Sequence, residues 1–140
     1  MTLDLARLII DFGFTVLIWA VQLVIYPSFG YYSTTNLLKW HQRYTMRVTF
    51  IVLPLMFSQL ILASIQLWLS QNWYTIMSMC SVVLLWLLTF MIFVPLHQSI
   101  DRNQPVANVC EKLVLKNWFR TFLWTLLFLI SLIYFSSLKK

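Results

Sequence analysis

Long apolar runs separated by short polar intervals make up almost the whole chain. Four runs, at about Leu8–Phe29, Tyr44–Leu69, Trp73–Leu96 and Leu115–Leu138, each exceed the roughly 20 residues that a helix needs to cross about 30 Å of hydrocarbon. Only a helix satisfies every backbone group within such a segment, and no alternating ten-residue pattern argues for a barrel. The pattern predicts an all-α integral membrane protein: one domain over residues 1–140, folded as a four-helix up-down bundle. The first run is too long for a signal-peptide apolar core of roughly 7–15 residues, and no small-residue cleavage site comes after it, so it reads as a retained span.

The intervals differ in kind. Gly30–Arg43 reads as a polar loop of moderate length, and Ser70–Asn72 as a tight turn that makes the second and third spans neighbours. Gln98–Lys112 reads as the longest link, with Asp101, Arg102, Pro105 and Glu111. With four crossings, both termini share one face with the short turn, and the opposite face holds the two longer loops. Lys39, Arg43, Arg47, Arg102, Lys112, Lys116 and Arg120 lie toward the loop face; Arg7, Lys139 and Lys140 lie toward the terminal face. The positive-inside bias then puts the loops in the cytoplasm and the termini outside, as in a bacterial inner membrane.

Composition agrees with a lipid solvent. The chain is 61% hydrophobic, 17% aromatic and only 10% charged, with a mean hydropathy of +0.80, whereas a soluble domain is about a quarter charged. The net charge of +6 is spread over span ends, where anionic headgroups take it. It points to membrane lipid as a partner and away from nucleic acid. Cys80 and Cys110 have no metal or redox spacing and read as free thiols.

Against this background the polar residues in or near spans become the candidates for chemistry, because lipid penalises them. The second run opens W-H-Q-R-Y-T-M-R, placing His41, Tyr44 and Arg47 within an arc of roughly 120°. Gln59 and Gln66 return to the His41 side lower down, so this stripe should face into the bundle, either as a site or as interhelical glue. Pro54 interrupts the same run and predicts a kink. The fourth run opens K-N-W-F-R-T-F-L-W, with Asn117, Arg120, Thr121 and Trp124 on one face. Arg120 there is either a snorkelling anchor or a fork of donors for an enolate, phenolate or carboxylate. The third run ends F-V-P-L-H, and the topology brings His97 to the level of His41; these are the chain's two histidines. Trp19, Gln22 and Tyr26 share a face of the first run, and Gln22 and Tyr26 approach the same end. Arg7 and Asp11, four residues apart at the other end, read as a local structural pair. A zinc site would have to recruit Asp101 or Glu111 beside the histidines, so no metal is expected. There is no Walker loop, dinucleotide fingerprint, H-E-x-x-H or nucleophile elbow.

V-P-L-H late in the third run, with a link and then N-W-F-R-T at the fourth, resembles the anthrone-oxygenase-like family of small four-span membrane proteins. The likeness covers about the third and fourth runs. His97 stands where a small polar residue such as Asn often sits in that family. The resemblance implies a cofactor-independent oxygenase acting on an electron-rich aromatic or lipid-like small molecule. In that scheme His41 or His97 removes a proton, since a free imidazole titrates near about pH 6.5. Arg47 and Arg120 hold the developing anion, and Tyr44 and Asn117 orient it. Gln22, Tyr26, Gln59, Trp118, Thr121 and Trp124 would line the substrate site, and Trp40 would add a further aromatic wall.

Two other readings remain open from sequence. His41 and His97 could ligate a haem b axially, or the Arg and His set could hold a quinone head, making a redox protein. Alternatively the chain is an accessory subunit of a larger membrane complex, or a homo-oligomer, with its polar residues serving packing. Four spans and no inverted repeat make a transporter the poorest fit.

Overall fold

A computed structural model of the chain describes residues 2–102 and 106–138, the side chains of Val106 and Ala107 excepted. Pro105, Lys139 and Lys140 lie outside the described residues. The described residues form an all-α four-helix bundle. The first helical rod contains α1 (Thr2–Ala20), a π-helical turn (Val21–Ile25), α2 (Tyr26–Ser28) and a 3₁₀ turn (Phe29–Tyr31). The second is α3 (Thr34–Leu69). The third contains α4 (Trp73–Leu88), a second π-helical turn (Thr89–Phe93) and α5 (Val94–Asp101), and the fourth is α6 (Val106–Ser137). Each rod contains a stretch long and apolar enough to cross a membrane, and the protein is a multi-pass integral membrane protein.

The helices run well past the apolar runs. The expected polar loop over Gly30–Arg43 shrinks to Tyr32 and Ser33, because α3 already begins at Thr34 behind an extended Ser33. Leu37 and His41 are both buried one turn apart, so the inward stripe starts before the apolar run does. The expected link Gln98–Lys112 is likewise mostly helix, with α5 reaching Asp101 and α6 under way by Val106. The Ser70–Asn72 turn stands as expected. Asn72 caps α4 by accepting from the backbone N–H groups of Tyr74 and Thr75, and Thr75 Oγ1 in turn accepts from the Asn72 N–H.

Proline explains both π-helical turns. Pro27 and Pro95 carry no backbone N–H, so each leaves a carbonyl one turn earlier without its α-helical donor. The helix widens there: Tyr26 N–H bonds to Val21 O, and Val94 N–H to Thr89 O, each skipping one residue further than an α-helix does. Pro54 has no such effect, and α3 passes through it unbroken.

The bundle is polar within and apolar without. Phe12, Phe50, Phe57, Trp68, Met91 and Phe119 are among the large side chains on its outer surface. Arg7, Asp11, Gln22, His41, Gln59, Asn117, Thr121 and Ser131 are buried beside core residues such as Phe14, Met56, Val82, Leu113 and Leu127. Lipid rewards apolar contact everywhere, so the polar groups find their partners inward. α1 packs chiefly on α6 and α3, and α4 on α3 and α6.

Candidate functional site

Four side chains from three rods make one hydrogen-bonded chain at the end of the bundle where α2, the start of α3 and α5 meet. The Tyr26 hydroxyl lies 3.0 Å from His97 Nε2. His97 Nδ1 lies 2.8 Å from His41 Nε2. His41 Nδ1 lies 2.8 Å from Asp101 Oδ1. With Asp101 ionised, one assignment satisfies every member: His41 donates from Nδ1 to the carboxylate, His97 donates from Nδ1 to His41, and Tyr26 donates to His97. Aromatic rings enclose the chain. Phe29 packs edge-on against both His41 and Tyr44, with centroids 5.7 and 5.4 Å apart, and the imidazoles stack at 5.0 Å.

One π-helical turn ends directly before Tyr26, and the other ends one helical turn before His97. A π turn adds one residue to a helical turn, and such insertions recur at functional sites because they re-aim the side chains beyond them. Pro27 and Pro95 thus place the two bulges at matching points of two rods.

Beside the chain lies an apolar cavity of about 350 Å³. Its walls include Phe14, Ile18, Val21, Val52, Met56 and Phe93, and its polar members include Tyr26, Tyr44, His97, Asp101 and Arg120. Thr49 and Phe90 border it from exposed positions on the second and third rods. Arg120 is 8% exposed. Its guanidinium carbon sits 3.7 Å over the Phe93 ring and 5.5 Å from that of Trp124. Its charge is felt at Tyr26, Tyr44 and His97. Among the described residues, Asp11 pairs with Arg7 and Asp101 with His41, and Arg120 Nε has no hydrogen-bond partner. A buried cation held by rings, beside an apolar cavity, suits an anionic oxygen.

The remaining candidates sort by helical phase. Tyr44 is half-buried and lines the cavity, whereas Arg47, about 120° from His41, points outward and is exposed. Asn117 and Thr121 are buried but face the first rod: Asn117 Nδ2 donates to Gln22 Oε1 at 2.9 Å, and Thr121 Oγ1 approaches the same oxygen at 3.5 Å. Gln22 Nε2 donates to the Val114 carbonyl. This group joins two helices and does not line the cavity. Trp124 lines it. Trp118 and Trp40 are exposed, each one residue from a buried position.

Gln59 belongs to a second network. Its amide donates to Asp11 Oδ1 at 2.6 Å and accepts from Trp124 Nε1 at 3.4 Å. Ser131 donates to Asp11 Oδ2 at 2.6 Å, and Arg7 Nε reaches both carboxylate oxygens at 3.0 Å. The pair expected from spacing is thus formed, but it lies wholly inside the bundle and not at its edge.

No family model matches the chain, and searches of curated proteins and of solved structures find no match either. The site therefore rests on its own geometry. Among the described residues no group of three or more His, Cys, Asp and Glu converges as a metal cluster, and Cys80 and Cys110 are free thiols. Sequence reading missed two contributors. Asp101 was legible only as a loop carboxylate, since the helical extension that brings it to His41 carries no apolar signal. Phe93 gave no signal, because its role depends on Arg120 from another rod.

Proposed function

We propose that the protein is a membrane enzyme that binds an apolar aromatic molecule bearing a carbonyl or phenolic oxygen and removes a proton from it. The observation that carries this reading is the apolar cavity whose polar end presents Tyr26, Tyr44, His97 and Arg120, whose Nε has no hydrogen-bond partner. Its size lies within the roughly 300–1,000 Å³ range of small-molecule pockets. The ligand enters from lipid between the second and third rods, past Thr49 and Phe90.

The resembled family's chemistry, applied to a tricyclic ketone such as anthrone, begins at the methylene carbon. The C–H bond breaks there, its proton passes to the Tyr26–His97 pair, and its electron pair moves onto the carbonyl oxygen beside Arg120. Dioxygen accepts the electrons in one-electron steps and forms a C–O bond at the former methylene carbon. A proton returns to the resulting peroxide; the second C–H bond at that carbon then breaks, its electron pair forms the new carbonyl as the O–O bond breaks, and the hydroxide released takes up that second proton and leaves as water. One anthrone and one O₂ give one quinone and one water. The excess of Lys and Arg on the loop side favours a cytoplasmic location for this end of the bundle.

A quinone-head reading draws on the same cavity and the same Arg120. A bis-histidine haem would require His41 and His97 to give up the 2.8 Å hydrogen bond they share. The test is to incubate protein in lipid nanodiscs with anthrone and oxygen, monitoring quinone absorbance and retained ligand by native mass spectrometry. Turnover that is lost in His97→Ala and Arg120→Gln supports the oxygenase reading. Retained prenylquinone without turnover favours the quinone reading. An empty protein inert to both would leave the pocket without a function and favour an accessory subunit.

A further inference from the structure

We infer that Tyr26, His97, His41 and Asp101 form a proton wire, with Asp101 as the port through which the cavity exchanges protons with the aqueous face at the end of α5. The inner end of the wire rests on the proposed pocket function; the wire itself rests on geometry. Three consecutive contacts of 3.0, 2.8 and 2.8 Å join the Tyr26 hydroxyl in the cavity to the Asp101 carboxylate, which also borders the cavity and whose side chain is 34% exposed. His41 between them is fully buried and does not line the cavity, so it is a relay member and does not touch substrate. Intramembrane Asp and His chains are the usual composition of proton relays, and imidazole suits one because it can accept at one nitrogen while donating at the other.

The proton balance closes. A proton leaving the ligand arrives on the Tyr26 oxygen as the hydroxyl proton moves to His97 Nε2. The His97 Nδ1 proton moves to His41 Nε2, and the His41 Nδ1 proton moves to Asp101. The ligand ends with one negative charge, Asp101 ends neutral, and both rings end neutral in the opposite tautomer. The ligand anion lies beside Arg120, so the charge that disappears at Asp101 reappears where a cation awaits it. A return proton runs the sequence backwards and restores both tautomers. Chemistry that takes one proton and later gives one back therefore resets the wire each cycle without turning a ring. Arg120 and Tyr44 are the other charged or titratable groups facing this chain from neighbouring elements.

The test has two arms on full-length protein in nanodiscs. In the first, histidine is labelled with ¹⁵N and long-range ¹H–¹⁵N NMR reads the tautomers. The expected result is one shared tautomer for both rings, with coupling across the His97–His41 hydrogen bond, and loss of that common tautomer in Asp101→Asn. Opposed tautomers, or no coupling, would overturn the wire. In the second, anthrone at saturating concentration under argon is monitored for deuterium uptake at its methylene carbon from D₂O. Exchange should fall at least about tenfold in Asp101→Asn and recover in Asp101→Glu; unchanged exchange in Asp101→Asn sinks the proposal. Failure of anthrone to bind wild-type protein would count against the pocket reading, while the NMR arm would still decide the wire.

Discussion

Replacing Asp11 with leucine removes the acceptor at the centre of the second polar network. The carboxylate takes hydrogen bonds from Arg7, Gln59 and Ser131, all of them buried. Its loss removes the carboxylate paired with the Arg7 guanidinium inside the bundle, where Nη1 and Nη2 already lack hydrogen-bond partners. Breaking one side of a buried pair costs about 3–5 kcal/mol. Arg7→Met should cost a similar amount, since Asp11 keeps two neutral donors but loses its cation. The double replacement Arg7→Met with Asp11→Leu leaves no buried charge, so it should be more stable than either single variant, with a coupling of at least about 2 kcal/mol. Reversible unfolding in mixed dodecylmaltoside–SDS micelles, read by tryptophan fluorescence, measures all four corners of the cycle. A single-variant cost below about 1 kcal/mol, or a double variant that simply adds the two costs, would refute the assignment of this pair as a coupled internal charge.

Arg120→Gln should weaken retention of a phenolate-type ligand by about tenfold to a hundredfold, the worth of a charged hydrogen bond, whereas exposed Arg47→Gln should change it less than about twofold by the same measure; isothermal titration in nanodiscs separates them. Val52→Trp should fill the cavity and abolish ligand retention in native mass spectrometry while the helical circular dichroism stays that of the wild type. Asn117→Leu should cost about 0.6–1.7 kcal/mol in unfolding, the range for an interhelical polar contact in a membrane, without moving the histidine NMR signals. Exposed Cys80 should react with a lipid-soluble maleimide in folded protein, and buried Cys110 only after unfolding.

The bundle was legible because its signal is redundant: four apolar runs of sufficient length admit few other solvents. The inward stripe of α3 was legible too, since His41, Gln59 and Gln66 obey one helical period and all three are buried. Helix ends were not, because polar residues from Thr34 to Arg43 look like loop once they leave hydrocarbon, although a helix continues through them. Phase was the second limit. Arg47 and Trp118 sit at the margins of stripes whose centres are buried, and a margin can turn outward. The grouping of His41 with His97 came from depth alone, but the direct bond between them did not. It depends on the π-helical turn before Pro95, and only the proline was visible in sequence.

Arg7 and Asp11 also bear on how the chain enters a bilayer during synthesis. They lie one turn apart on α1, so their pairing needs only that helix. The first rod can leave the translocation machinery with its charges already matched, before the three rods that follow it are made. Arg120 is different, because its closest ring, Phe93, belongs to the third rod. Vectorial synthesis delivers that rod first, so a cover is waiting when the fourth rod arrives. A circular permutant that starts at α6 would present Arg120 to lipid bare, at an insertion cost of about 2.5–3.5 kcal/mol. The order of the rods along the chain thus serves assembly as well as the finished fold.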